Sequence, residues 1–330
     1  MGITWSTTKH FVNLTLRNKE LEHRILELNQ KIEDLLQENK RLEDETSKYQ
    51  SKLGVATNIK PNDEGIVKDI LSLQDKIVDY VTGLKKSKVD VKIDKIVNLL
   101  PLYNCQIKID SNDPDKEIIR AILQRHVLEM IFGFAKDYFY TGKDYLESDI
   151  VRKTDELYNL MKTFVDTRDG TDEITKVTPI KLRQLVYTVL GIRGLGKIIE
   201  SGGSYTHESI VSFTEKLNNS MNQYRVIKDP EMKKRVDESA EIIIQEVFRI
   251  FYFRLKVQEP VAQYHWFKRG DKVSRTTMKK SWDDDEIDDF VVELCTFPLI
   301  GVGQFTNSNQ FNLSNMKVFT HAKVFIKKLQ

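Results

Sequence analysis

Leucine recurs at every seventh position from Leu14 through Leu21, Leu28, Leu35 and Leu42, and Tyr49 continues the series. Seven residues make two turns of helix, so the repeat lays one apolar stripe along one face and leaves that face to be covered. With the leucines at d, the a positions are Phe11, Asn18, Ile25, Ile32, Asn39, Thr46 and Leu53. Isoleucine at a with leucine at d suits the side-chain geometry of two parallel strands. Asn39 pairs best with its own copy across a two-fold axis, which fixes register and disfavours trimers, and Asn18 repeats the device near the fraying end. Neither glycine nor proline occurs between Ile3 and Leu53, so nothing breaks the helix. At about 1.5 Å per residue the rod is roughly 60 Å long.

The expectation is a parallel dimeric coiled coil over residues 1–54, with heptads from 11 to 53. Its dimerisation residues are Leu14, Leu21, Ile25, Leu28, Ile32, Leu35, Asn39 and Leu42. The flanking charges decide less. Arg17 can face Glu22 of a partner helix, but Glu38 opposes Glu43, and Leu36 takes an e position. That repulsion leaves room for a related zipper with basic residues in place of a second copy. A surface helix folded back on its own body accounts less well for five leucine heptads with matching isoleucines and an asparagine. Zippers also join DNA-binding dimers, but before Leu14 only Lys9 is basic, so no basic region exists to fork across a major groove.

The balance of 51 basic against 49 acidic residues, net +2, gives no global excess to draw the chain to nucleic acid or anionic lipid. Cys105 and Cys295 stand 190 positions apart and imply no disulfide framework. With no secretory signal pattern, the expected compartment is cytoplasmic or nuclear rather than secreted. Two glycosylation-like triplets at Asn13 and Asn312 therefore carry no meaning. No apolar run approaches the ~18 residues needed to span a bilayer. Membrane attachment is expected only if Gly2 is myristoylated. The pattern Met1-Gly2-Ile3-Thr4-Trp5-Ser6 permits this, although Trp5 is a bulky occupant.

Seven prolines and fifteen glycines are few for 330 residues and favour long helices. Residues 55–64 read as a linker, 65–258 as an all-α domain, and 259–330 as a charged loop plus a small two-stranded β element packed on the helices. Apolar residues at helical spacing mark a first body helix from Ile66 to Val81 and a second at Ile93, Ile96 and Leu100. A third, from about Lys116 to Tyr140, is apolar nearly all round between Val127 and Ala135, the mark of a central buried helix. Ile150, Leu157, Leu160, Met161 and Phe164 line a fourth. Thr178-Pro179 reads as an N-cap and first-turn proline of a helix through Leu190, with Gly191 just past its end. Thr206 caps another, and the last runs from about Pro230 to Val257 as the second central helix. About seven helices around two buried ones make a plausible all-α body. Beyond Pro260, residues 290–297 and 317–325 read as strands separated by the polar segment 301–315.

Several segments of residues 65–330 resemble an uncharacterised, lineage-expanded family of fungal proteins, of the kind abundant in mycorrhizal fungi. They are Leu182-Arg183-Gln184-Leu185-Val186-Tyr187 through Gly191 with Arg193-Gly194, Met221-Asn222-Gln223-Tyr224-Arg225, Trp282-Asp283-Asp284-Asp285, Cys295-Thr296-Phe297-Pro298-Leu299-Ile300-Gly301, and Lys317 through Phe325. The resemblance implies no activity and does not include the zipper.

Four arrangements invite sharper readings. Gly191-Ile192-Arg193-Gly194-Leu195-Gly196-Lys197 fits G-x-x-x-x-G-K, but Ile198 stands where a phosphate-binding loop needs Ser or Thr, and a helical segment precedes it where a strand is required. Lys268, Arg269, Lys272, Arg275, Lys279 and Lys280, between Trp266 and Trp282, could grip nucleic acid weakly. The six acids from Asp283 to Asp289 cancel that charge, so a solvated, internally paired loop is expected. No His, Cys and acidic residues fall at metal-ligand spacing, and no cofactor or metal is expected. His126 reads as a hydrogen-bonded member of the body, and Cys295 as a small buried hydrophobe. The function expected is a non-enzymatic dimerising interaction or scaffold protein. The alternatives are a ligand-binding module or enzyme whose pocket in the helical domain the sequence does not locate, and weak nucleic-acid binding through 268–280.

Overall fold

The computed structural model describes residues 3–53, 63–81, 89–110, 113–140, 145–200, 202–279, 289–303 and 316–328. Residues 55–62 of the expected linker, Gly2, Lys280, Trp282 and the acids from Asp283 to Asp288 therefore lie outside the described residues, while Asp63 and Glu64, also read as linker, already belong to a helix. The chain divides into two units, residues 1–58 with 171–174, and residues 59–170 with 175–330. The first carries α1 (Ile3–Leu53), a single helix of 51 residues, as the lack of glycine and proline demands.

The second unit is mainly helical and is built on α4 (Lys116–Tyr140). Ile118, Ile122, Leu123, Val127, Leu128, Ile131 and Ala135 are buried there on several faces, because α2 (Asp63–Val81), α7 (Glu208–Tyr224), α8 (Pro230–Val247) and a strand all pack on it. The short α3 (Ile93–Val97) ends before Pro101, where a 3-10 turn over Pro101–Tyr103 leads into Asn104 in the left-handed conformation. Asp229 caps α8 by accepting from Glu231 N and Met232 N, with Pro230 in the first turn.

The last helix is continuous but not uniform. Phe248–Arg254 is wound as π-helix before α9 (Leu255–Val257). The wider turn spreads consecutive bulky residues among different neighbours. Phe251 meets Phe132 edge-on at 5.0 Å, Phe248 packs near Tyr138 and Phe139, and Phe253 joins a separate cluster with Tyr187, Leu190 and Val257.

Three expected helix boundaries move. α6 (Glu173–Arg193) begins upstream of Thr178, so Pro179 lies inside the helix rather than in its first turn. Gly191 is likewise helical. The chain leaves α6 through Gly194, whose N–H donates to Leu190 O at 2.8 Å, and through Leu195 at φ 57°. A Cβ at Gly194 would stand 2.5 Å from Leu190 O and 2.9 Å from Phe253 Cε2, so close approach is what requires glycine there. The cap of α7 is His207, whose Nδ1 accepts from Ser209 N at 3.2 Å, and not Thr206. Apolar residues on α5 (Leu146–Asp166) also depart from expectation, since Leu157, Leu160 and Phe164 are exposed and only Thr154 is buried.

The β structure exceeds the expected two strands. Within the helical region β1 (Val89–Val91) pairs with β4 (Arg225–Ile227), and β2 (Ile198–Glu200) with β3 (Gly203–Tyr205). After Pro260 two three-stranded sheets form. One has the order β5 (Gln263–His265), β8 (Leu299–Val302), β9 (Lys317–Thr320), and the other β6 (Met278–Lys279), β10 (Ala322–Lys328), β7 (Phe290–Phe297). The expected strand over 317–325 is split at His321, and its halves enter different sheets. β7 and β8 divide in the same way at Pro298, which has no N–H to continue a ladder. β10 runs antiparallel to β7, with register shifts after Lys323 and Phe325.

Candidate functional site

The expected dimerisation residues share one helix, so their spacing along α1 needs no tertiary contact to hold it. Leu21, Ile25, Leu28, Ile32, Leu35 and Leu42 are between 47% and 56% exposed, and Asn39 is exposed among them. Each therefore keeps about half of its surface free on a single helix. Leu14 falls within α1, but its side chain lies outside the described residues, as do those of Phe11, Thr46, Tyr49 and Leu53. Glu38, expected to repel Glu43 across a dimer, is paired on its own helix with Arg41 at 2.6 Å. That pairing weakens the objection to a second copy as partner.

A second feature takes Trp266, Lys268 and Arg269 from the start of the basic run and joins them to residues distant in sequence. A cleft of about 800 Å3 opens in the body between residues 101–106, α4, residues 266–269 after β5, and β7. Arg125 of α4 sits over the Trp266 ring with its guanidinium carbon 3.5 Å from the centroid. The same guanidinium donates from Nη1 to Cys295 O at 3.0 Å and pairs with Glu129 at 2.5 Å. Glu293 of β7 also lines the cleft and is 1% exposed. A carboxylate so buried must be paired. Its Oε1 accepts from Gln106 N at 2.5 Å, and its Oε2 from Arg269 Nε at 3.1 Å. Arg269 also donates from Nη2 to Gln106 Oε1 at 2.8 Å.

Behind the wall, Tyr103 Oη and His126 Nδ1 are 2.7 Å apart, while His126 Nε2 stands 3.3 Å from Ser220 Oγ. Burial brings the His126 pKa down to about 4, so the ring is neutral at pH 7. Cys105 and Cys295 both line the cleft, and burial raises both thiols, Cys295 to about 11. Neither is set up as a nucleophile, which needs the thiolate. Elsewhere Glu147 accepts from Tyr138 Oη at 2.8 Å and from Leu195 N at 3.1 Å, tying the start of α5 to the end of α4 and the turn after α6. This arrangement holds helix ends together.

The remaining sequence candidates do not assemble. The run from Gly191 to Lys197 leaves a helix and enters β2, the reverse of the strand, loop and helix order that cradles a phosphate. In the basic run Arg269 is held by Glu293, and the Trp266 ring is covered by Arg125. Among the described residues no three His, Cys, Asp or Glu side chains gather as a metal site, and no helix is long and apolar enough to cross a membrane. A lone acid in the apolar strand Phe290–Phe297 is the sequence signal that could locate the cleft, since an inward carboxylate demands a cationic partner. No protein-family model, curated protein or solved structure matches the chain.

Proposed function

We propose that this chain is a dimerising interaction protein whose α1 helices pair in parallel with those of a second copy. The observation that carries the reading is the stripe of six half-exposed leucines and isoleucines, with Asn39 in the same seam. Covering the exposed half of each is worth on the order of 1 kcal/mol. Twelve such side chains across a pair of helices compete with an association cost of about 4–15 kcal/mol. The buried self-pairing of Asn39 selects register and strand number rather than adding stability. Parallel pairing brings two bodies to the same end of one rod, so a single partner or assembly is engaged twice, with a gain set by effective concentration. No bond-making chemistry enters this reading.

Replacing Leu28 and Leu35 together by proline breaks α1 at two d positions. Static light scattering should then give the mass of one chain, while circular dichroism retains the helical signal of the body. Dimers persisting in that variant would place the association elsewhere and remove the proposal.

A further inference from the structure

We propose that the cleft beside Arg269 binds a small organic anion, a carboxylate or phosphate carried on a flat apolar body. The proposal is independent of the zipper and gives a location to the ligand-binding reading that the sequence could not place. A guanidinium has five N–H donors in a rigid fork. Arg269 commits Nε to Glu293 in a part-buried contact and one Nη2 hydrogen to Gln106 in an exposed one. Nη1 and the second Nη2 hydrogen have no acceptor among the described residues, although the side chain is only 34% exposed. Buried Glu293 thus holds the fork rigid while its outer end stays free. Such preorganisation favours oxyanion recognition, because little side-chain entropy remains to be lost.

The lining itself carries more basic than acidic side chains. Arg125, Lys268 and Arg269 line the cleft with Glu293 as their one acid, and Glu129 neutralises Arg125 from outside the lining. The Lys268 ammonium is exposed and meets no carboxylate among the described residues, although Asp271, just outside the lining, accepts from Lys268 N at 2.7 Å and offsets part of its charge. Part of the lining is apolar. Leu102 is 68% exposed, Pro101 adjoins it, and Tyr103 has its hydroxyl turned to His126, so it offers the cleft ring carbon. A cleft near 800 Å3 falls in the range of small-molecule sites, which combine apolar walls with a few fixed polar groups.

The test is thermal shift and titration calorimetry on the full chain at low salt with phenyl phosphate, benzoate, inorganic phosphate and benzyl alcohol. At least one ring-bearing anion should raise the melting temperature saturably. Bare phosphate and the neutral ring should each bind about tenfold more weakly, the scale of one lost charge-assisted contact. Preference for phenyl phosphate or for benzoate tells which oxyanion the site takes. Arg269→Gln should weaken binding about tenfold or more. Lys268→Ala should weaken it several-fold, and it keeps the test alive if the Arg269 variant does not fold. Lys272→Ala, in the same basic run but outside the cleft, should bind like the native chain. The proposal fails if no ring-bearing anion binds saturably by about 10 mM, well above a millimolar Kd. It fails equally if bare phosphate binds as tightly as phenyl phosphate, or if Lys272→Ala loses as much as Lys268→Ala.

Discussion

His126 is the half-buried ring whose titration matters most to the body. Held between Tyr103 and Ser220, with Tyr224 edge-on at 5.2 Å, it has no carboxylate hydrogen-bonded to it, and burial lowers its pKa to about 4. An unfolded histidine titrates near 6.5. Between about pH 6.5 and 4 the unfolded chain therefore binds a proton that the folded chain refuses. Its stability contribution is complete above pH 6.5 or so and falls as pH drops toward 4, by up to about 3 kcal/mol. His265 is shifted in the same direction by burial and adds to the trend. In His126→Gln the loss of urea midpoint between pH 7 and pH 5 should shrink. An undiminished loss would assign the acid sensitivity to other groups.

Two glycines make a sharper contrast at the same scale. Gly133 sits in the interior of α4 on an exposed position, and a methyl added there meets nothing within 4 Å. Gly133→Ala should therefore stabilise by about 0.5–1 kcal/mol through backbone entropy. Gly194→Ala drives the new methyl against Leu190 O and Phe253, and should cost roughly 1–3 kcal/mol. Denaturation midpoints moving in opposite directions would confirm both. A loss at Gly133 would mean that α4 is not covered as described.

Among the elements, α4 is where local pattern and burial agree most closely. Its expected span, about Lys116 to Tyr140, matches the observed helix because the apolar run is long and uninterrupted. Leu128 is fully buried there among core residues, so Leu128→Ala should cost about 2–5 kcal/mol in chemical unfolding, with little change in helix content. Helix ends are harder to read. Thr178-Pro179 carries a start signal, yet α6 runs on upstream from Glu173, and a histidine performs the capping that the sequence assigns to a threonine. The strands are hardest. β5, β6 and β8 have three, two and four residues, too few for alternation to register. The breaks at Pro298 and His321 send one apolar stretch into two sheets, an outcome set by pairing partners distant in sequence. Beyond the lone acid Glu293, the cleft is hard to read for the same reason. Its residues come from four segments between 101 and 295, whereas the zipper lies in one continuous repeat.

At the scale of the whole molecule the oligomeric state turns on how α1 covers its stripe. Asn39 is the discriminating position within it. Asn39→Val should strengthen association and relax its specificity, so that species larger than dimers appear, because a β-branched apolar residue at a removes the polar register pin. A variant that keeps the native mass distribution would show that Asn39 does not lie in an interhelical seam. The Glu38 and Arg41 pair suggests weak salt dependence for self-association, since the repelling carboxylate is already partnered.

Sedimentation equilibrium of the full-length chain over a wide concentration range tests the central proposal most directly. Pairing through α1 predicts a mass approaching twice 38.5 kDa as concentration rises. A mass that stays at that of one chain throughout would contradict it.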